Sequence, residues 1–252
     1  MISLAARRHP GLANRPALFL FALLMPLALL TGCRQQGEWH FFEGVALDTG
    51  YHITLHGDLG AGETALLEAA IQGELASLEA ELDILRRLLA GAGMAGIGLP
   101  APVLPEALRQ RLQARALDRL ALVLGEFGVS NALVELGGGV RALGMAGRRP
   151  WRVRLPRTGL AVDPDSALRL DDAALVSRSA ASPSREGEAE ASRVLAVSAV
   201  AQSAEAADRL ARGLLGAPLS QSAMEQPLRL VVLTPRGITL HIGTGLEPLL
   251  EP

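Results

Sequence analysis

Lysine is absent from this chain: all 24 of its basic side chains are arginine. That excludes a phosphate-binding loop built on lysine and any Schiff-base chemistry. Cysteine occurs once, at Cys33. A disulfide, a thiolate metal cluster and a cysteine nucleophile deeper in the chain are therefore ruled out. Charge of neither sign dominates, with 26 acidic against 24 basic residues and a net charge of −2. Neither a nucleic acid nor an acidic partner is implied by such a balance.

The only long apolar run, 17–30, is short for a membrane span and follows Arg7, Arg8 and Arg15. A basic start, a short apolar core and small residues before a cut site describe an export signal. The cut site reads Leu30-Thr31-Gly32-Cys33, which resembles a bacterial lipobox. The expected organisation is a signal peptide over 1–32, a lipid-anchored linker over 33–38 with the lipid on Cys33, and one domain over 39–252. An ordinary signal peptide with a chance cysteine is the alternative. A lipid would hold the domain at a bacterial membrane, facing the periplasm or the cell exterior. Arg34, where inner-membrane retention is associated with aspartate, leans slightly toward the outer membrane.

What the rest of the chain contains is a mixed order of strands and helices. Residues 39–47 and 50–56 read as strands joined by a turn at 48–50, with His52 and His56 on the solvated side of the second. In 63–89, Ile71, Leu75, Leu78, Leu82, Leu85 and Leu89 step by four and three. That spacing predicts a long amphipathic helix packed on the chain's own sheet, with a coiled-coil seam as the alternative. A connecting loop over 91–105 leads to a second helix over 105–127. Then comes Asn131 to Gly144, NALVELGGGVRALG, an apolar strand, three glycines and a second strand led by Val140. Such glycines serve a turn or a close backbone approach to a ligand. Residues 151–155 are expected to be a third strand of the same meander, 156–193 a polar loop, 194–200 a strand, 204–215 a helix, and 228–233 with 238–242 a closing hairpin. Strands and helices without strict alternation predict an α+β domain, a single mixed or antiparallel sheet with packed long helices.

Several segments resemble one family in their order. They are the lipobox, ALDTGYHITL at 46–55, the glycine stretch followed by Pro150-Trp151-Arg152-Val153, and SAVAQSAEAADRLARGLLG at 198–216. FAD:protein FMN transferases, the ApbE-like flavin-transferring lipoproteins, show similar AMGTTYHI, LVDIGGEIRALG, PWRV and ADALATAL patterns in the same order. The resemblance implies the fold of that family, binding of FAD and Mg²⁺, and transfer of FMN to a threonine of an exported flavin-acceptor protein with release of AMP. It is a phosphoryl transfer, in which a cation neutralises the pyrophosphate and the acceptor oxygen is held in line.

Carried over residue by residue, the resemblance assigns Thr49, Tyr51, Gly137, Gly138 and Gly139 to the flavin nucleotide and Asp208 to the metal. Departures accompany it. Leu47 stands where the family has a flavin-contacting methionine, Asp48 where it has glycine, Gly139 where it has an acidic residue, and Arg212 where it has a metal-binding threonine. Residues i and i+4 share a helix face, so Arg212 is expected to pair with Asp208 in the cation's place. The segment that carries a lysine-glycine motif in the family is reduced to 91–105, and only Leu175 to Ser179 stands for its ATSG-like stretch. Asp163, Asp165, Asp171 and Asp172 are the clustered carboxylates left to replace lost ligands. Two readings follow: a reduced FMN transferase, or a membrane-anchored binding or accessory lipoprotein on the same scaffold.

Overall fold

The computed structural model describes residues 37–91, 106–157, 166–180 and 192–251. Cys33, Asp163 and Asp165 lie outside them. The domain is built on an eight-stranded antiparallel sheet with a three-stranded sheet on one face and helices on the other.

The chain enters through β1 (Glu38–Ala46) and β2 (Thr49–Gly57), paired from Glu38↔Gly57 to Ala46↔Thr49. The turn between them is Leu47-Asp48, both with left-handed backbone (φ 52° and 63°). Two left-handed residues match the twist of a hairpin but are strained for leucine. Tertiary contacts hold it: the Leu47 N–H donates to Glu79 at 3.2 Å, and its carbonyl accepts from Gln113 Nε2 at 3.2 Å.

Glu79 belongs to α1 (Ala61–Gly91) and Gln113 to α2 (Glu106–Glu126). Along α1, Leu67, Ile71, Leu75, Leu78 and Leu82 are buried, and Leu112, Leu117, Leu120 and Leu124 of α2 join them. Their partners are Tyr51, Ile53 and Leu55 of β2 and every second residue of β3 (Ala132–Leu136). The leucine stripe thus packs on the chain's own sheet, and Leu89 at its end is exposed.

β4 (Gly139–Leu143) returns antiparallel to β3 through a two-residue turn, Gly137-Gly138. Next come β5 (Met145–Ala146), β6 (Arg149–Arg154) and β7 (Ala167–Leu170), which form the small sheet. Residues 151–155, expected as a third strand of the main meander, therefore belong elsewhere. Trp151, Val153 and Leu155 pack over Ala142, Leu175 and Val200 on the face of the large sheet away from the helices. A strand that covers a sheet alternates in the same way as one within it.

The larger correction concerns 156–193, expected as loop. β8 (Ala174–Ser179) lies within it and occupies the centre of the large sheet, between β4 and β9 (Arg193–Ala201). Ala174 and Val176 are fully buried against the helices, which outweighs the polar character of the surrounding residues. α3 (Ala204–Leu214) follows, then β10 (Leu228–Thr234) and β11 (Gly237–Ile242) close the sheet. The first turn of α3 is capped twice. Ser203 accepts from the Ala206 N–H at 3.2 Å, and Asp118 of α2 accepts from Ala204 and Glu205 at 2.8 and 2.9 Å. No helix among the described residues is long and apolar enough to cross a membrane.

Candidate functional site

The three glycines act for two different reasons. Gly137 and Gly138 have φ of 58° and 75°, the left-handed backbone a tight hairpin requires. Gly139 begins β4 with ordinary backbone, and what it needs is space. A Cβ there would lie 2.6 Å from Leu117 Cδ1 of α2. A Cβ on Gly137 would lie 2.3 Å from Gln113 Oε1, so the Gln113 amide fills the place behind the turn. Gly138 faces open space, with nothing nearer than the Ser177 carbonyl at 3.9 Å.

In front of the turn, on the face away from the helices, is a cavity of about 260 Å³ lined by Thr49, His52, Glu135, the three glycines and Arg154. A second cavity of about 330 Å³ adjoins it, lined by Arg157, Ser179, Ser198 and Arg229. Pro156 and Ser177 line both. The two make a cleft of the size ligand sites take, lined by Arg154, Arg157 and Arg229, by the Glu135 carboxylate and by glycine backbone. Inside it the Ser177 hydroxyl donates to the Ser198 hydroxyl at 2.9 Å.

Four of the expected nucleotide residues therefore meet at one cavity: Thr49, Gly137, Gly138 and Gly139. Tyr51 does not join them. It is one residue out of phase with His52, so its side chain points to the helices, 1% exposed, where its hydroxyl accepts from Gln72 Nε2 at 2.6 Å. His52 is mostly exposed and faces Glu43 at 3.5 Å, while the His56 ring stands 4.7 Å from that of Trp39. Asp172 turns away from the cleft to accept from the Gly144 N–H at 2.9 Å.

Asp208 lies behind the turn, on the helix face, 1% exposed. Arg212 Nε donates to its Oδ2 at 2.7 Å, the pair expected at i and i+4. Its other oxygen is taken as well. Arg178 of β8 donates through Nε to Oδ1 at 2.9 Å, and its side chain is 2% exposed. Burial pushes the Arg178 guanidinium below the usual arginine range, and the Asp208 carboxylate opposes that shift. The same guanidinium donates to the carbonyls of Ser177 at 3.0 Å, Gln110 at 3.1 Å and Gly137 at 3.4 Å. It reaches the back of the glycine turn itself.

Arg178 was missed by sequence reasoning, although its signal was present. Ala174, Val176 and Arg178 fall at alternate positions of one strand, and a charge at the apolar phase implies a buried partner. The donor set does not fit Mg²⁺. Both carboxylate oxygens are engaged by cations, and no group of three His, Cys, Asp or Glu side chains suited to a metal occurs among the described residues.

Against known proteins, the ApbE family model matches residues 112–226, from α2 through the glycine turn and β8 to α3 and beyond. Over that stretch, a little under half its length, the chain is ApbE-like. Its fold matches that of solved flavin transferases. Flavin transferase ApbE from Vibrio cholerae superposes with a TM-score of 0.58 at 17% identity, covering 84% of this chain and 99% of that one. The apo form of Pseudomonas stutzeri flavinyl transferase ApbE gives 0.59 at 15%, covering 86% and 98%. The ApbE protein from Thermotoga maritima gives 0.56 at 16%, covering 85% and 100%. At these identities the likeness is one of fold. No curated protein sequence matches the chain. The ApbE-like fold thus brings together a glycine turn, a cationic cleft and a buried acidic residue, and in this chain the acidic residue is neutralised from within.

Proposed function

We propose that this ApbE-like chain is a binding or accessory lipoprotein on the flavin-transferase scaffold, one that does not carry out Mg²⁺-dependent FMN transfer. The observation that carries the reading is Asp208, whose two oxygens accept from Arg178 and Arg212. A divalent ion at that carboxylate would have to displace a buried guanidinium and stand beside a second cation. Phosphoryl transfer depends on a cation at the pyrophosphate, and the positioning fails without one. Gly139 adds to this, because Leu117 leaves no space for the acidic side chain the family carries there.

The cleft suits an anionic ligand, and a flavin nucleotide is the one consistent with the scaffold. Thr49 and the Gly138 backbone would meet the ligand on one side, with Arg154 and Arg157 on the other. Tethering through a lipid on Cys33 would keep the domain at an exported face, beside any flavin-acceptor partner. Coexpression with an exported flavin-acceptor domain tests the reading. The acceptor is expected to show no covalent flavin fluorescence on a denaturing gel, while the chain itself retains FAD by equilibrium dialysis. Robust Mg²⁺-dependent labelling of the acceptor would overturn it. Labelling with palmitate, abolished in Cys33→Ser, tests the anchor separately.

A further inference from the structure

We propose that Arg178 is a built-in cation: its guanidinium fills an oxygen cage of the kind that holds a hard metal ion, and so closes the site to divalent ions while keeping it assembled. The inference rests on the reading of Asp208 given above and goes beyond it. It assigns the cage its resident cation, and it states what that cation holds together.

The ligand set argues for this. Four oxygens surround the guanidinium: Asp208 Oδ1 at 2.9 Å and the carbonyls of Ser177, Gln110 and Gly137 at 3.0, 3.1 and 3.4 Å. One carboxylate with several peptide carbonyls is the chemistry of a calcium-type site, not of a surface ion pair. Surface pairs join two flexible side chains; here three of the four acceptors are backbone and cannot follow the arginine if it leaves. The distances are those of hydrogen bonds, so the cage is dilated to the size of a guanidinium.

The four oxygens also come from four different places. Gln110 O lies in α2, Gly137 O in the hairpin turn, Ser177 O in the central strand β8 and Asp208 in α3. These parts already touch, through the Asp118 cap of α3 and the Ser177 N–H that donates to the Gly138 carbonyl, and a planar group with donors on several sides adds one contact that serves all of them at once. A metal ion would do the same by coordination. Charge completes the argument. Arg212 supplies a second positive charge to Asp208, and its side chain is only 24% exposed. A divalent ion entering this cage would face two guanidiniums across one carboxylate.

The test uses the full lipidated chain in detergent, with Mn²⁺ as a spin-visible probe. For the wild type, thermal unfolding in EDTA and in millimolar Mg²⁺ should coincide, and no bound Mn²⁺ that disappears in Asp208→Asn should be seen. Asp208-dependent binding of Mn²⁺ by the wild type would overturn the inference, whatever the variants do. The double variant Arg178→Ala/Arg212→Thr should bind one Mn²⁺ per chain and gain thermal stability from it, and adding Asp208→Asn should abolish both. If the double variant unfolds in EDTA, it is prepared in Mn²⁺; failure to bind Mn²⁺ when folded would equally overturn the inference. The functional reading stands or falls separately. Flavin transfer by a wild type that binds no Mn²⁺ would remove that reading and leave the cage intact.

Discussion

Replacing Arg178 with alanine should be the most damaging single change at the site. The variant removes a buried charge-assisted hydrogen bond to Asp208 and takes one donor from each of the half-buried Ser177, Gln110 and Gly137 carbonyls. Breaking a buried pair typically costs about 3–5 kcal/mol. Asp208 keeps Arg212, so its charge is not stranded, and the lower part of that range, about 3–4 kcal/mol, is expected. For a domain of this size roughly 2–4 °C of melting temperature accompanies each kcal/mol, giving a drop of about 6–16 °C. Arg212→Ala, which takes away only the partly exposed partner, should cost about 1 kcal/mol. Arg178→Met combined with Asp208→Leu should recover little of the loss, because the three carbonyls still lack their donor and Arg212 loses its carboxylate. Thermal unfolding followed by far-UV circular dichroism measures all four proteins. An Arg178→Ala midpoint equal to that of Arg212→Ala would refute the cage, for it would mean that the three carbonyl contacts contribute nothing.

Gly139→Ala should be destabilising by about 1–3 kcal/mol through overpacking, since the new methyl meets Leu117 Cδ1 at 2.6 Å. Denaturant titration checks it, and a compensating Leu117→Ala should make the second change cost less than it does alone. Asp118→Ala should remove two acceptors from the first turn of α3, at about 1–2 kcal/mol, and raise amide exchange at Ala204 and Glu205 while leaving α1 protected. Unchanged exchange at those two amides would count against capping from α2.

Much of this architecture was legible where one local force decides. The leucine spacing of α1 placed its buried face correctly because helix periodicity and burial agree there. Asp208 and Arg212 were readable as neighbours because i and i+4 always meet on a helix. β8 was not, because its strand character depends on β4 and β9 on either side and on helices above, none of which are local. Arg178 was concealed for the same reason: its partner lies 30 residues further on. Leu47 in a left-handed turn runs against its own preference, and only Glu79 and Gln113 explain why it stays. The glycine run was legible as a turn, but the division of labour was not, since a glycine kept for backbone freedom and one kept for clearance are the same letter.

The position of β8 also bears on how the domain assembles. β1 to β4 with α1 and α2 form one block early in the chain, and β9 to β11 with α3 form another late in it. The two blocks share no strand pairing of their own; the ladder runs from β4 to β8 to β9. During synthesis the first block can fold while the second is still unmade, but the sheet stays divided until β8 is laid between them. Arg178 rides on that strand, so its charge enters the interior in the same event that joins the halves, and Asp208, on the later block, must arrive with it. A chain split on either side of β8 should therefore yield fragments that recognise each other through that strand, its arginine and the Asp118 cap on α3.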